Sequence, residues 1–235
     1  MRLLCISDVH GREDALAAVL ATAEKRGYDH LLVAGDICFP GPGALAVWQR
    51  LVAARAICVQ GLSDKALAKL DPAGMSPKND HERRMLERFL AVRNELGEGV
   101  VRALGQLPLT HRMPLPDGRE LLLVHGSPAD PTTILSHDMT DDEIRRLLGD
   151  DPADIVVCGG SHVPFDRTVM DVRVVGVGSV GEAPGDAAHA AATFIEVPSA
   201  AGASPRPATG PAQRPATGPA PESDTTVDQF FVPLS

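Results

Sequence analysis

The sequence has no apolar run of the roughly 18–20 residues that a membrane-spanning helix requires. Its first ten residues, MRLLCISDVH, reach an aspartate too early for the apolar region of a signal peptide. Positive charge is also in deficit, because the net charge is −9, which argues against nucleic-acid binding by phosphate neutralisation. These absences predict a cytoplasmic protein without membrane contact. They still permit a phosphate ester as substrate, because a metal ion can neutralise its charge locally.

Cysteine is scarce, and none of the four cysteines is spaced as C-x-x-C. Cys5, Cys58 and Cys158 lie in apolar, strand-like runs and Cys38 follows GDI, so we expect buried, reduced thiols rather than a metal or redox site. The sequence also has no G-x-G-x-x-G and no Walker motif. That absence argues against an unrelated nucleotide-binding α/β protein.

Short apolar runs alternate with helical patterns through most of the chain. RLLCIS, HLLVAG and AICVQG predict strands, and the segments between them repeat apolar residues at helical spacing. A long helical stretch follows over residues 79–104, with a break expected at Gly97 or Gly99. After residue 166 the pattern becomes three short strands without intervening helices. This order predicts an α/β fold that is closed by a β-rich section.

The composition changes at Ser199, after which the chain is rich in proline, alanine and glycine and contains RPATGPA twice. Such a segment cannot bury enough apolar surface to offset its chain entropy. We therefore predict one domain over residues 1–198 and a disordered tail over 199–235. The final FFVPLS is apolar enough to dock on this domain or on a protein partner, and a solvated end is the alternative.

Polar side chains follow five predicted strands at the point where each strand ends. They are Asp8 and His10 in SDVHG, Asp36 in GD, Ser63 and Asp64 in GLSD, His125 in HGS, and His162 in GGSH. Ligands of open α/β sheets bind beyond the carboxyl ends of the strands. Carboxylates mixed with imidazoles suit a divalent ion such as Mn, Fe or Zn. We therefore predict a shared metal site. The remaining histidines, predicted to be solvated surface residues, are His30, His81, His111, His137 and His189.

The ordered motifs resemble the calcineurin-like metallophosphoesterases, whose signature is D-x-H, G-D, G-N-[HC]-[DE], H-G and G-H-[TS]-H. The resemblance extends to about residue 197, and LLLVHGSPADP and GSVGEAP are similar to the compact bacterial branch. It implies a four-layer α/β/β/α sandwich with mixed sheets and two metal ions about 3.5–4 Å apart. By this resemblance, Asp8, His10, Asp36 and His162 hold the first ion. Asp36 would also bridge to the second ion, where His125 is a further ligand.

Two ligand positions of the second ion differ from the family motif. Leu62 replaces the asparagine and Gly160 replaces the first histidine, so neither side chain offers a donor atom. Ser63 stands where the family often has a histidine near the leaving group. Losing even an outer-shell partner costs ~10–100-fold in metal affinity, so the second ion is expected to bind weakly.

Four nearby residues are candidate substitutes. Gln60 and Asp64 flank Leu62 and could replace the lost ligand, and Ser63 could contact a phosphate or a bound water. Arg12 could supply positive charge to the substrate.

The resemblance implies a phosphoesterase that hydrolyses a phosphomonoester or phosphodiester through a metal-activated water. Its cofactor would be one or two divalent ions, Mn, Fe or Zn, with one intact site and a degenerate second one. The helical insertion over about residues 75–109 is expected to select the small phosphoester substrate. The alternative is a catalytically silent metal-binding module of the same fold that acts through a protein partner, recruited by the tail.

Overall fold

The computed structural model describes residues 1–185, 188–199 and 225–234, within which ten strands form two five-stranded sheets. The strands are β1 (Arg2–Ile6), β2 (His30–Val33), β3 (Ile57–Cys58), β4 (Thr110–Pro114), β5 (Glu120–Val124), β6 (Ile155–Cys158), β7 (Pro164–Val169), β8 (Val172–Val177), β9 (His189–Glu196) and β10 (Thr226–Pro233). One sheet has the order β10-β9-β1-β2-β3 and the other β4-β5-β6-β8-β7. Both sheets are mixed, as predicted. In the first sheet β1 is parallel to β2 and antiparallel to β9, and in the second β8 is parallel to β6 and antiparallel to β7.

Three of the five helices, the first, second and fifth, connect parallel neighbouring strands, and the other two link β3 of the first sheet to β4 of the second. The five helices are α1 (Glu13–Glu24), α2 (Ala44–Ala53), α3 (Leu62–Lys69), α4 (Asp80–Gln106) and α5 (Asp141–Leu148), with a 3-10 turn at Pro72–Gly74. The predicted break in the long helix is present, because Gly97 has a left-handed backbone with φ 70° inside α4. The N-terminus of α5 carries the capping box between Thr140 and Glu143 that is typical of helix starts.

The residues of β1 show why the sheets stack in four layers. Leu3 and Cys5 face the core between the two sheets, whereas Leu4 and Ile6 face the core beneath α1, α2 and α4. Successive side chains of a strand point to opposite faces, and both faces of β1 are therefore buried, which explains its continuous apolar sequence. On the second sheet, Leu122 packs in the core beneath α5. The α/β/β/α sandwich predicted from the sequence is confirmed.

The C-terminal end corrects the prediction of a disordered tail over residues 199–235. Residues 226–233 form β10, which pairs antiparallel with all of β9 and extends the first sheet. Phe230 stacks on Phe194 at 5.2 Å and Val232 is buried. The Gln229 amide also donates to the backbone carbonyls of Phe165 and Gly176. The apolar end therefore docks on its own domain, and the rest of the predicted tail, residues 200–224, lies outside the described residues.

All four cysteines are unpaired, as predicted. Burial raises the pKa of Cys58 and Cys158 to about 12, which keeps both as unreactive thiols. Among the residues that the structure describes, no helix is long and apolar enough to cross a membrane.

Candidate metal centre

Four loops, two from each sheet, bring the predicted site residues together. Asp8 and His10 follow β1, Asp36 follows β2, His125 follows β5 and His162 follows β6. Because β1 is parallel to β2 and β5 is parallel to β6, each pair of strands ends at the same edge of its sheet. The five side chains form two groups of three that could each hold a metal ion and that share one member. Within each group, the donor atoms all lie within 4.8 Å of one another.

The backbone is unusual at four of these five residues. Asp8, His10, Asp36 and His162 have φ angles between 51° and 59°, in the left-handed region that non-glycine residues rarely adopt. Such strain of about 1–3 kcal/mol per residue persists only where the surroundings hold it, and it concentrates at functional sites. The short turns after the strands therefore point these side chains inward at a cost in stability.

The first group consists of Asp8, His10 and His162. Asp8 is fully buried, and its Oδ1 lies 3.3 Å from Nε2 of His162 and 3.8 Å from Nε2 of His10. The two Nε2 atoms are 3.3 Å apart. Gly160 holds the carboxylate in place because its backbone N–H donates to Oδ2 at 2.9 Å.

The charges of this group influence one another. Burial alone would raise the pKa of Asp8, but the close approach of His162 and the charges of His125 and His162 lower it below its usual value. The same carboxylate raises the pKa of His162 above its ordinary value, against the effect of burial. The Asp8 carboxylate and the His162 imidazole therefore each favour the charged form of the other.

The second group consists of Asp8, Asp36 and His125. Oδ2 of Asp36 lies 3.7 Å from Nε2 of His125, and Oδ1 accepts the backbone N–H of Ser63 at 2.8 Å. Asp8 is the member that the two groups have in common. The role of Asp36 at both ions, which the resemblance implied, stays a prediction; one of its oxygens lies toward α3 and the other toward His125.

Two of the imidazoles are oriented by backbone carbonyls. Nδ1 of His10 lies 2.5 Å from the carbonyl of Phe39, and Nδ1 of His125 lies 2.7 Å from that of Ala34. A carbonyl can only accept, so in both rings Nδ1 carries the proton and donates it. The Nε2 lone pairs therefore face the centre, as in metal-ligating histidines.

Asp64 has a structural role instead of the predicted role as a substitute ligand. Its Oδ2 accepts the backbone N–H groups of Asp36 and Gly61, and its Oδ1 accepts that of Ile37. These contacts cap α3 and fasten it to the loop after β2. Burial and then the charge of Asp36 raise the pKa of Asp64 to about 6, although the hydrogen bonds to Gly61 and Ile37 oppose the rise.

Glycine is required where this loop meets α3. A Cβ on Gly61 would lie 2.2 Å from both the backbone nitrogen and Oδ1 of Asp36. The φ of Gly61 is −90°, so the requirement comes from close approach of another group rather than from backbone conformation. Gly61 thus lets Asp36 take its position.

The two departures from the family motif have structural consequences. Leu62 begins α3 with 41% of its side chain exposed and contributes no donor atom. Gly160 has φ 73°, and a Cβ there would lie 2.3 Å from Cδ1 of Ile134. A histidine at this position would therefore require Ile134 to move, and the second group keeps only its three members.

The other three residues predicted to substitute for lost metal ligands or to contact substrate have different contacts. The buried Gln60 donates its amide to the carbonyl of Leu104 and so fastens the end of α4. Arg12 forms a two-bond ion pair with Asp14 at the centre's rim. Only Ser63 keeps a free group beside Asp36, because its buried hydroxyl has no hydrogen-bond partner.

Glu182 is a site residue that the strand-end pattern did not identify. Its Oε2 lies 3.7 Å from Nε2 of His10 and 3.8 Å from Nδ1 of His162. The loop after β8 carries it, and the Ser179 hydroxyl, which donates to the Asp8 carbonyl, accepts the Glu182 N–H. The only signal was its place in GSVGEAP, a segment that resembles the family without a metal-ligand motif.

An unsatisfied atom tests whether these residues suit a metal ion. Oδ1 of Asp8 is buried and accepts no hydrogen bond, a situation that costs free energy unless a cation compensates it. Of the nearest groups, Nε2 of His10 cannot donate because the proton of that ring is on Nδ1, and Nε2 of His162 lies 3.3 Å away without a hydrogen bond to this oxygen. A divalent ion that accepts both carboxylates and imidazoles fits this donor set.

Comparisons with known proteins agree with this geometry. A family model described as the calcineurin-like phosphoesterase superfamily domain matches residues 1–197. A metallophosphoesterase from Sphaerobacter thermophilus is 23% identical with a TM-score of 0.66, covering 83% of this chain and 82% of its own. A hypothetical protein from Pyrococcus horikoshii OT3 is 21% identical with a TM-score of 0.69, and 83% of each chain is covered. These two likenesses show the fold. The search of curated proteins finds no match.

Proposed function

Because the chain belongs to the calcineurin-like phosphoesterase superfamily, we propose that it hydrolyses a phosphomonoester or a phosphodiester with the help of a divalent metal ion. One observation carries the proposal. Four loops bring the donor atoms of five side chains together, and one of these atoms, Oδ1 of Asp8, is buried without a hydrogen-bond partner among the described residues. Without a bound cation, this buried oxygen would cost free energy that nothing compensates.

Asp8, His10, Asp36 and His162 would hold the first ion, and Asp36 and His125 would hold a weaker second one, for which Asp8 is also within reach. When bound, the ion supplies Lewis-acid polarisation of the phosphoryl group and activation of a water. The chain's own part is orientation. Phe39 and Ala34 fix the rings of His10 and His125, while Gly160 and Ser63 fix the carboxylates of Asp8 and Asp36 through backbone N–H groups.

Ser63 would add a contact to the phosphoryl group or to a water that it uses. Its backbone N–H is already bonded to Asp36, and its buried hydroxyl beside that carboxylate has no partner. A hydroxyl can donate to a phosphoryl oxygen, which would partly replace the histidine that the family often has at this position.

A hydrolysis assay tests the proposal. Chelator-treated protein is expected to leave p-nitrophenyl phosphate and bis(p-nitrophenyl) phosphate intact, and Mn²⁺, Fe²⁺ or Zn²⁺ is expected to start saturable hydrolysis of at least one of them. Turnover that is the same with and without metal would contradict the proposal, as would no turnover of either ester under any metal.

Leu62 and Gly160 favour a second candidate, a catalytically silent metal-binding module that acts through a protein partner. Neither residue can contribute a side-chain ligand to a second ion. The docking of β10 on β9 argues against recruitment by a free C-terminal end. This candidate predicts bound metal without turnover of either ester, so the same assay, combined with a metal count, separates the two functions.

A further inference from the structure

The first turns of α4 carry a stripe of three basic residues and one methionine beside the candidate metal centre. His81, Arg84, Met85 and Arg88 are spaced i, i+3, i+4 and i+7, which places them on one face of the helix, and all four line one cleft. The sequence placed His81 on the solvated surface, and it is exposed. Its position in this cleft depends on the packing of α4, which the sequence does not reveal.

The cleft is continuous with the candidate metal centre. His10 and Glu182 line it together with Arg12, Pro40 and Gly41, and its volume is about 460 Å³. Arg88 is held at the wall because its Nε donates to the carbonyl of Pro40 at 2.5 Å. A substrate with one group at the centre can therefore extend along the arginines of α4.

The positive charge of this cleft is poorly neutralised by the protein. Arg84 forms no hydrogen bond or ion pair with a residue that the structure describes, and the described contacts of Arg88 use only its Nε. Like charges four residues apart on a helix repel each other. Among the described residues, Glu182 is the one acidic residue along this cleft, and it lies toward His10 and His162. The two arginines therefore form a local positive surface on a chain whose net charge is −9.

We propose that Arg84 and Arg88 bind a second phosphate group of the substrate. The inference rests on the proposed function, because it assigns the scissile phosphate to the metal centre and the second phosphate to α4. Arginine matches a phosphate through two parallel N–H donors, and an anion between Arg84 and Arg88 relieves their repulsion. The substrate class is therefore a small organic compound that carries two phosphates.

Binding of a non-hydrolysable probe tests this assignment without turnover. The full chain, freed of metal, is titrated calorimetrically at constant ionic strength with methylenediphosphonate, and methylphosphonate serves as the one-group reference. Without metal, both probes should occupy the α4 side of the cleft, and methylenediphosphonate should bind more tightly because its two phosphonates can contact both arginines. Arg84→Gln and Arg88→Gln should each weaken this binding about tenfold, since hydrogen bonds to charged groups are of that strength.

Arg83→Gln is the matched control. Arg83 is the neighbouring residue, pairs with Asp80 and does not line the cleft, so its removal changes net charge equally and should alter affinity less than about twofold. The assignment is overturned if the parent does not bind methylenediphosphonate, if Arg84→Gln and Arg88→Gln bind it like the parent, or if Arg83→Gln weakens binding as much as they do.

A turnover arm separates this assignment from the proposed function. For Mn²⁺-loaded protein, we expect Arg84→Gln to raise KM for fructose 1,6-bisphosphate about tenfold and to leave KM for fructose 6-phosphate unchanged. If probe binding depends on the arginines but no ester is hydrolysed, the phosphate-binding role of Arg84 and Arg88 is supported and the proposed function is contradicted. If esters are hydrolysed but probe binding does not depend on Arg84 and Arg88, the proposed function is supported and the phosphate-binding role is contradicted.

Discussion

Asp36→Asn is expected to reduce phosphoester hydrolysis to the uncatalysed background. The substitution keeps the size of the side chain, and its Oδ1 can still accept the Ser63 N–H. It removes the negative oxygen that lies 3.7 Å from Nε2 of His125. Outer-shell losses alone cost ~10–100-fold in metal affinity, and the loss of a direct ligand should cost at least as much. The measurement is the initial rate against bis(p-nitrophenyl) phosphate over a range of Mn²⁺ concentrations.

Asp150→Asn is the matched control for this prediction. Asp150 is exposed beyond α5 and forms no hydrogen bond or ion pair with a described residue, so the variant should keep the parent's rate. Thermal unfolding of Asp36→Asn without metal verifies that the fold is intact. If a folded Asp36→Asn protein hydrolyses the diester as fast as the parent, Asp36 has no part in the chemistry.

Asp64→Ala is expected to lower the free energy of unfolding of the metal-free protein by about 3 kcal/mol or more. The substitution leaves three buried N–H groups without acceptors, those of Asp36, Ile37 and Gly61, and each such group costs about 1–3 kcal/mol. Relief of the carboxylate's own burial offsets part of this loss. For a chain of this length the change corresponds to a fall in Tm of roughly 6–12 °C.

The sign of this effect separates a structural from a metal-ligating role. A carboxylate that served only as a ligand would repel Asp36 in the metal-free protein, so its removal would raise stability. Asp64→Ala and the control Asp150→Ala are compared by thermal unfolding in the presence of chelator. A Tm of the Asp64 variant that equals or exceeds that of the control would show that the three backbone contacts contribute nothing.

The fold and most of the centre follow from local sequence because parallel strands end at a common edge. Asp8, His10, Asp36, His125 and His162 each come shortly after an apolar run, so a count of strands was enough to group them. The sequence could not predict which aspartate accepts hydrogen bonds from the backbone and which faces the metal centre. Asp64 and Asp36 are both strand-end or loop aspartates, and only hydrogen-bond geometry distinguishes the acceptor of three N–H groups from the candidate ligand.

Residues outside that pattern escaped the sequence analysis for different reasons. Glu182 reaches His10 and His162 from the loop after β8. Strand β8 is parallel to β6 and ends at the same edge, but no helix precedes β8 in the sequence to indicate a parallel strand. Arg84 and Arg88 resemble any solvated helix arginine until the packing of α4 is known. Strand β10 follows a low-complexity segment whose composition predicts disorder. Its pairing with β9 was therefore not predicted from the sequence.

A count of bound metal ions tests the central claim most directly. Leu62 and Gly160 offer no side-chain donor atom for a second ion, so we expect one tightly held ion per chain. Metal-free protein is equilibrated with Mn²⁺ and counted by elemental analysis, beside Asp8→Asn and Asp150→Asn. The account predicts about one ion in the parent and in Asp150→Asn, and almost none in Asp8→Asn. No bound ion in the parent, or an equal count in Asp8→Asn, would contradict it.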